Sequence, residues 1–143
     1  ARRLGDCKSV LCASVEYLHQ HGTPETIDDL TQHNCLYYSG FAGKSWHFLD
    51  AQGRAAAVAI KGNLSAGISS LLCESALAGT GIALVPELEA REGLAQGKLV
   101  RLLPELQPKS LPIYGLYLSR EHQPAGLRLL LDALSEKQRL IID

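Results

Sequence analysis

Short apolar runs alternate along the chain with segments whose apolar positions recur at helical spacing. The apolar runs predict strands at residues 8–14, 35–38, 82–86, 98–104 and 113–119, and a hairpin over 46–62 that turns at 50–53. The helical spacing predicts helices that follow the first strand, precede and follow the strand 82–86, and close the chain over about 125–139. Such alternation favours an α/β layer structure with a mostly parallel sheet.

Single residues indicate where the helices begin and end. Ser14 can cap the first helix, because a serine hydroxyl accepts from a free backbone N–H there. Ser65 or Gly67 is the predicted start of the helix before strand 82–86. Gly79 takes the left-handed position after that helix.

The segment Gly79-Thr80-Gly81 looks like half of a dinucleotide-binding fingerprint. That fingerprint follows a strand and opens a helix, whereas this glycine pair follows a helix and opens a strand. The dipole at a helix C-terminus also repels anions. We therefore predict a helix-to-strand turn here and no phosphate site.

Composition excludes several classes of function. Lys plus Arg number 14 and Asp plus Glu 15, giving a net charge of −1, so there is no basic footprint for nucleic acid. No apolar run approaches the roughly 20 residues of a membrane helix. The chain contains no Met and begins abruptly at Ala-Arg-Arg, which we interpret as a piece of a longer protein.

Cysteine and histidine positions suggest no metal site, cofactor or catalytic set. Cys7, Cys12, Cys35 and Cys73 form no Cys-x-x-Cys pair, and we expect reduced, partly buried thiols. No spacing assembles a nucleophile, a base and an orienting group, so we expect no enzyme. A redox role for Cys35 beside His33 is the less favoured alternative, because Cys35 opens an apolar strand.

The better candidate for chemistry is the start of the helix that follows "KGNLSAGIS". Its free backbone amides attract acceptor groups, and nearby serines such as Ser65 and Ser69 add hydroxyls. Ser39, Lys44 and Trp46 lie in the loop after strand 35–38, at the strand end where α/β sheets bind ligands. The plainer alternative is that these residues are ordinary caps and surface loops.

Several motifs in unbroken order resemble the effector-binding domain of LysR-type transcriptional regulators. They are "CAS-x-x-YL-x-x-HG-x-P-x-x-x-x-DL-x-x-H-x-CL", then "ALAG-x-GIA-x-VP", "GKLVRLLPE" and "PIYGLYLS". The resemblance implies a fold of the periplasmic-binding-protein type II kind, with two α/β lobes joined by two crossover strands and an effector between them. On that basis residues 1–9 end the first lobe and its crossover, and 10–112 form one complete Rossmann-like second lobe. Residues 113–143 then supply the returning crossover strand and C-terminal helix of the first lobe.

The resemblance also implies a function. The chain would be the small-molecule sensing part of a cytoplasmic bacterial regulator and would form homo-oligomers away from membranes. It would reach DNA only through an N-terminal helix-turn-helix absent from this N-terminally truncated chain. The effector would be an organic acid or aromatic metabolite, contacted by Ser14, Ser39, Gly67, Ile68 and Ser69.

Two departures from the family pattern shape these expectations. Gly67 and Ile68 stand where the family often has Asn or Ser, which favours a partly apolar ligand. The loop "SGFAGKSWHF" has no Cys, so we do not expect peroxide sensing by a thiol there. The alternative function is an exported solute-binding receptor of the same fold, against which four reduced cysteines argue mildly.

Overall fold

The computed structural model describes residues 1–40, 44–118 and 124–142, and its elements confirm the α/β class. In chain order they are β1 (Arg2–Cys7), β2 (Ser9–Ser14), α1 (Val15–His21), a 3₁₀ helix (Asp28–Gln32), β3 (Cys35–Tyr38), β4 (Ser45–Leu49), β5 (Ala55–Ala59), β6 (Ser65–Ala66), α2 (Ser69–Leu77), β7 (Ile82–Pro86), α3 (Glu87–Ala95), β8 (Leu99–Arg101), β9 (Gln107–Pro108), β10 (Leu111–Gly115) and α4 (Ala125–Ile142). The elements divide into two compact units: unit 1 is Ala1–Lys8 with Ser110–Asp143, and unit 2 is Ser9–Lys109.

The main sheet of unit 2 has five strands in the order β6-β3-β7-β2-β8. Strand β3 pairs in parallel with both β6 and β7, whereas β2 pairs antiparallel with both β7 and β8. The strands β6, β3, β7 and β8 therefore run in one direction and β2 alone runs in the other. The predicted mostly parallel sheet is thus found with one reversed strand near its centre.

The two faces of this sheet bury different sets of side chains. Alternation along β2 sends Leu11 and Ala13 into a core with Tyr17, Trp46 and Phe48. The intervening Val10 and Cys12 enter a second core, formed with α2, α3 and the other face of the sheet. An apolar run without polar interruption is what a strand covered on both faces requires.

The predicted hairpin is confirmed as β4 and β5, which pair antiparallel from Ser45↔Ala59 to Leu49↔Ala55. The Asp50 carboxylate accepts from the backbone N–H groups of Gln52 and Arg54, both at 2.9 Å, and so closes the turn. Strand β9 adds to β4 as a third strand and was not predicted, because it is only two residues long.

Helix ends follow local chemistry with one correction. The Ser14 hydroxyl caps α1 by accepting from the Tyr17 N–H at 3.1 Å, as predicted. The predicted start of α2 at Ser65 or Gly67 is wrong, because Ser65 lies in β6 and the helix opens only at Ser69. Hydrogen bonds of β6 to its neighbour hold Ser65 extended.

The glycine turn after α2 is confirmed. Gly79 has a φ of +80°, and its N–H donates to Ala76 O while the Thr80 N–H donates to Ser75 O. This pair of bonds is a Schellman motif, which satisfies carbonyls at the helix end. At Gly81 an added Cβ would lie 2.3 Å from the Asn34 carbonyl oxygen, so only glycine lets the two backbones approach there.

Unit 1 pairs β1 with β10 in antiparallel register and packs α4 against β1. Leu131 is the buried member of the predicted leucine stripe, and Asp132 forms a salt bridge with Arg2 at 2.6 Å. The strand predicted at 113–119 is found at Leu111–Gly115, and its predicted end at Ser119 lies outside the described residues. Within the described part of the chain, no helix has the length and apolar character needed to cross a membrane.

Candidate functional site

Four of the five residues predicted to contact an effector lie together at one end of α2. Ser39 directly follows β3, and its N–H donates to the Ala66 carbonyl at the end of β6, at 2.9 Å. Gly67 comes next in the chain, where an added Cβ would lie 3.6 Å from the Ser39 hydroxyl oxygen. Ile68 and Ser69 then open α2. The parallel pairing of β3 and β6 brings these residues together, as expected of parallel strand ends.

The start of α2 combines an apolar side chain with uncapped backbone donors. Ile68 occupies the N-cap position in an extended conformation, and no side chain forms a capping hydrogen bond there. The Ile68 side chain is 65% exposed, which is high for an isoleucine. Ser69 donates its hydroxyl to Glu89 Oε1 of α3 at 2.6 Å, so a carboxylate already lies beside this helix start. The surface can therefore present backbone N–H groups, hydroxyls and an apolar side chain to one small molecule.

Tyr37, Lys44 and Ser65 form a polar group beside this cluster, since Tyr37 pairs with Ser65 across β3 and β6. The Lys44 ammonium lies 4.9 Å from the centre of the Tyr37 ring. Hydrogen bonds with Lys44 and then Ser65 lower the pKa of the Tyr37 hydroxyl. Trp46, expected in the same loop, is instead a buried core residue of β4. That expectation is corrected, because alternation along β4 directs Trp46 and Phe48 inward.

Ser14 does not join the cluster, and its predicted place beside the other four residues is corrected. It ends β2, the one reversed strand, so it lies at the opposite edge of the sheet. A Cβ added at Gly79, just past the far end of α2, would lie 3.6 Å from the Ser14 hydroxyl oxygen. The nine residues of α2 span about 13 Å at 1.5 Å per residue. The Ser14 hydroxyl is buried and acts as the cap of α1.

An open groove of about 730 Å³ lies at this second end of α2. Its lining includes Ser14 and Glu16 from the start of α1, Glu74 and Leu77 from α2, and Lys98. The groove is wide and mixed in charge. It shares no residue with the cluster around Ser39 and Ser69.

A buried polar network under α1 was not predicted from the sequence. The Tyr17 hydroxyl lies 3.1 Å from His33 Nδ1 and accepts from the Asn34 N–H at 3.0 Å. Burial, and then the nearby His21, lower the pKa of His33, while Asp29 acts in the opposite direction. The contributing residues are 16 and 17 positions apart, a separation that no local pattern reveals.

None of the four cysteines forms a disulfide, and Cys12, Cys35 and Cys73 are buried. Burial raises the pKa of Cys12 and of Cys35 to about 12, so both are protonated near neutral pH and poorly nucleophilic. The Cys35 thiol donates to the Leu30 carbonyl at 3.4 Å, which suits a packing role. Over the residues that the structure covers, no three His, Cys, Asp or Glu side chains are grouped to hold a metal ion.

Comparisons with known proteins agree with this fold. The family described as "LysR substrate binding domain" matches residues 1–139. A probable HTH-type transcriptional regulator, LtrA of Klebsiella pneumoniae, is 34% identical over 133 residues, which cover 90% of this chain and 43% of that protein. The HTH-type transcriptional regulator CrgA of Neisseria meningitidis serogroup C is 34% identical over 139 residues, covering 96% of this chain and 46% of that protein.

Among solved structures, the full-length Vibrio cholerae virulence activator AphB matches with a TM-score of 0.79 and 30% identity. That match covers 95% of this chain and 46% of AphB. The chain thus spans less than half the length of these relatives. The family match over nearly all residues, together with the two-unit α/β structure, shows that the chain belongs to the LysR substrate-binding domain family.

Proposed function

We propose that this chain is the effector-sensing domain of a bacterial LysR-type regulator of transcription. The observation that carries the proposal is the family match over residues 1–139, in a chain whose relatives are transcriptional regulators. The domain has no catalytic step in this proposal. It acts in the cytoplasm, and DNA is contacted by a helix-turn-helix outside these 143 residues.

The effector contacts Ser39, Gly67, Ile68 and Ser69. Support comes from their convergence at the strand ends of β3 and β6 and at the uncapped start of α2. A ligand that suits this surface pairs hydrogen-bond acceptors with an apolar part, since Ile68 is largely exposed beside free N–H groups. An organic acid or an aromatic metabolite has that chemistry.

Unit 2 is the second lobe of the effector domain in this proposal, and unit 1 is the C-terminal part of the first lobe. Self-association is supported by the apolar surface of unit 1, where Leu116, Leu118 and Leu129 are largely exposed. We infer that these leucines contribute to an interface, since large exposed apolar patches mark interaction sites on soluble proteins. The working form is therefore a homo-oligomer whose arrangement on DNA differs with and without effector.

Signalling is a shift between two quaternary arrangements. An effector that binds one arrangement tenfold more tightly moves the equilibrium by up to about tenfold, whereas equal binding to both moves nothing. The contacts at α2 must therefore change between the two arrangements.

The test is a thermal-shift screen of carboxylic acids and aromatic metabolites on the full-length protein, followed by DNA footprinting with each hit. We expect a hit to raise the melting temperature and to change the footprint. Ser69→Ala should weaken both effects, whereas Ser75→Ala, the control in the same helix, should not. The Ser75 hydroxyl donates to the Leu71 carbonyl and lies outside the cluster. A hit whose effects survive Ser69→Ala and Gly67→Leu together would contradict the proposed site.

A further inference from the structure

The network beneath α1 links Asn34, Tyr17 and His33 by two hydrogen bonds, and the direction of the first is set by its backbone donor. The Asn34 backbone N–H can only donate, so the Tyr17 hydroxyl oxygen accepts from it, at 3.0 Å. The hydroxyl has one hydrogen, which is then available to His33 Nδ1 at 3.1 Å. We assign His33 Nδ1 as the acceptor of that hydrogen, which corresponds to a neutral imidazole with its proton on Nε2. We call the chain Asn34 N–H to Tyr17 O–H to His33 Nδ1 the relay.

The relay is closed off from water on several sides. His33 is 8% exposed and Tyr17 is 2% exposed. The His21 ring stacks on the Tyr17 ring at 4.4 Å between centres, and His21 Nδ1 lies 3.1 Å from the Tyr17 carbonyl oxygen. Because a carbonyl only accepts, His21 Nδ1 donates a hydrogen to it.

Few charges face His33 from the surrounding elements. From α1 come Tyr17 and His21, and the charged form of His21 opposes a second positive charge nearby. From the 3₁₀ helix comes Asp29, which favours the charged form of His33 but already accepts from the Glu25 and Thr26 N–H groups. Cys35 at the start of β3 is buried, and its raised pKa keeps the thiol protonated near neutral pH, so it adds no charge.

We propose that His33 makes unit 2 sensitive to pH through this relay. A proton on His33 Nδ1 turns the acceptor into a donor, so the Tyr17 oxygen would face two donors while its own hydrogen loses its acceptor. The contact of α1 with the start of β3 then weakens. Such a proton response is independent of the proposed effector site, since the relay shares no residue with Ser39 or Ser69.

The direction of the pH effect follows from linkage. Burial first, and then His21, lower the pKa of His33 in the folded state below its ordinary value of about 6.5. The unfolded chain therefore binds more protons in the window between the two pKa values. The contribution of neutral His33 to the stability of the folded state is fully present above about pH 6.5. It is lost as the pH falls through the folded-state pKa of His33. One such group changes the unfolding equilibrium constant by at most about tenfold per pH unit.

The first experiment is a proton NMR titration of the histidines from pH 8 to pH 4.5 on the full-length protein. We expect the pKa of His33 to lie below its ordinary value of about 6.5, with the amide signals of Tyr17 and Asn34 following the His33 curve. Tyr17→Phe removes the donor to neutral Nδ1 and should raise the pKa of His33. The inference is overturned if the pKa of His33 is at or above its ordinary value of about 6.5, or if Tyr17→Phe leaves it unchanged.

The second experiment measures urea unfolding against pH by the fluorescence of Trp46. His33→Gln keeps an acceptor but cannot titrate in this range, so it should flatten the fall in stability below pH 6.5. His47→Gln is the matched control, since His47 is exposed and contacts Ser45 on the hairpin. Equal pH slopes for His33→Gln and the unmodified protein would overturn the inference. If His33→Gln fails to fold, the titration above remains decisive.

Discussion

Ser14 is the residue at which a structural role and a ligand-binding role are most clearly distinguished by mutation. Its hydroxyl oxygen accepts from the Tyr17 N–H at 3.1 Å, and the side chain is buried at the junction of β2 and α1. Replacing it with alanine removes the acceptor and leaves the backbone donor of Tyr17 without its partner. We therefore expect Ser14→Ala to lower stability and to leave effector binding at α2 unchanged.

The expected loss of stability follows from the cost of removing an N-cap. Loss of a serine cap costs about 0.5–2 kcal/mol, and the buried position of Ser14 favours the upper half of that range. Unit 2 extends over Ser9–Lys109, and for a domain near that size 1 kcal/mol lowers the melting temperature by about 4–8 °C. We therefore expect a loss of about 1–2 kcal/mol and a fall of roughly 5–15 °C.

Trp46 supplies the assay. It is the chain's single tryptophan and shares the buried cluster that contains Tyr17, so its fluorescence reports unfolding of unit 2. Urea unfolding should show a lower midpoint for Ser14→Ala at an unchanged slope. Ser69→Ala is the comparison, because its half-exposed hydroxyl makes one surface hydrogen bond and should cost less than about 0.5 kcal/mol. If Ser14→Ala left stability unchanged and abolished the effector response instead, the assignment of Ser14 as a cap would be refuted.

Three further predictions concern the packing. Gly62→Ala should prevent folding of unit 2 or destabilise it severely, because the new Cβ would lie 1.9 Å from the Cys35 carbonyl oxygen. Gly126→Ala is the control, since its Cβ would meet nothing within 4 Å, and it should be neutral or stabilising. Circular dichroism of both variants checks this, and a well-folded Gly62→Ala would contradict the close approach. Phe48→Ala should cost about 3–5 kcal/mol in urea unfolding, since Phe48 is fully buried. Thiol reagents should label Cys12 and Cys35 slowly in the native protein and rapidly in urea, and fast native labelling would argue against their burial.

The helix cap and the turns were predictable from the sequence because each depends on residues close together in the chain. The Ser14 cap, the Asp50 turn and the left-handed Gly79 each depend on a few consecutive positions whose side chains or φ angles determine the turn. The strand Cys35–Tyr38 and the hairpin were predicted for the same reason.

Positions that depend on strand order were harder to predict. Ser14 was named with Ser39 as an effector contact, but it ends β2, which runs opposite to β3 and β7, and no pattern within β2 indicates that direction. The late start of α2 depends on the pairing of Ser65 in β6 with Tyr37. The Tyr17–His33 contact likewise exists only once α1 packs over the start of β3.

In the function proposed above, Ser39, Gly67, Ile68 and Ser69 form the effector-contacting surface of this LysR substrate-binding domain. The most direct measurement is the change in backbone amide NMR signals of the full-length protein when the strongest compound from the thermal-shift screen is added. We expect the largest changes at these four residues. Largest changes at Ser14, Glu74 and Lys98, in the groove at the other end of α2, would contradict it.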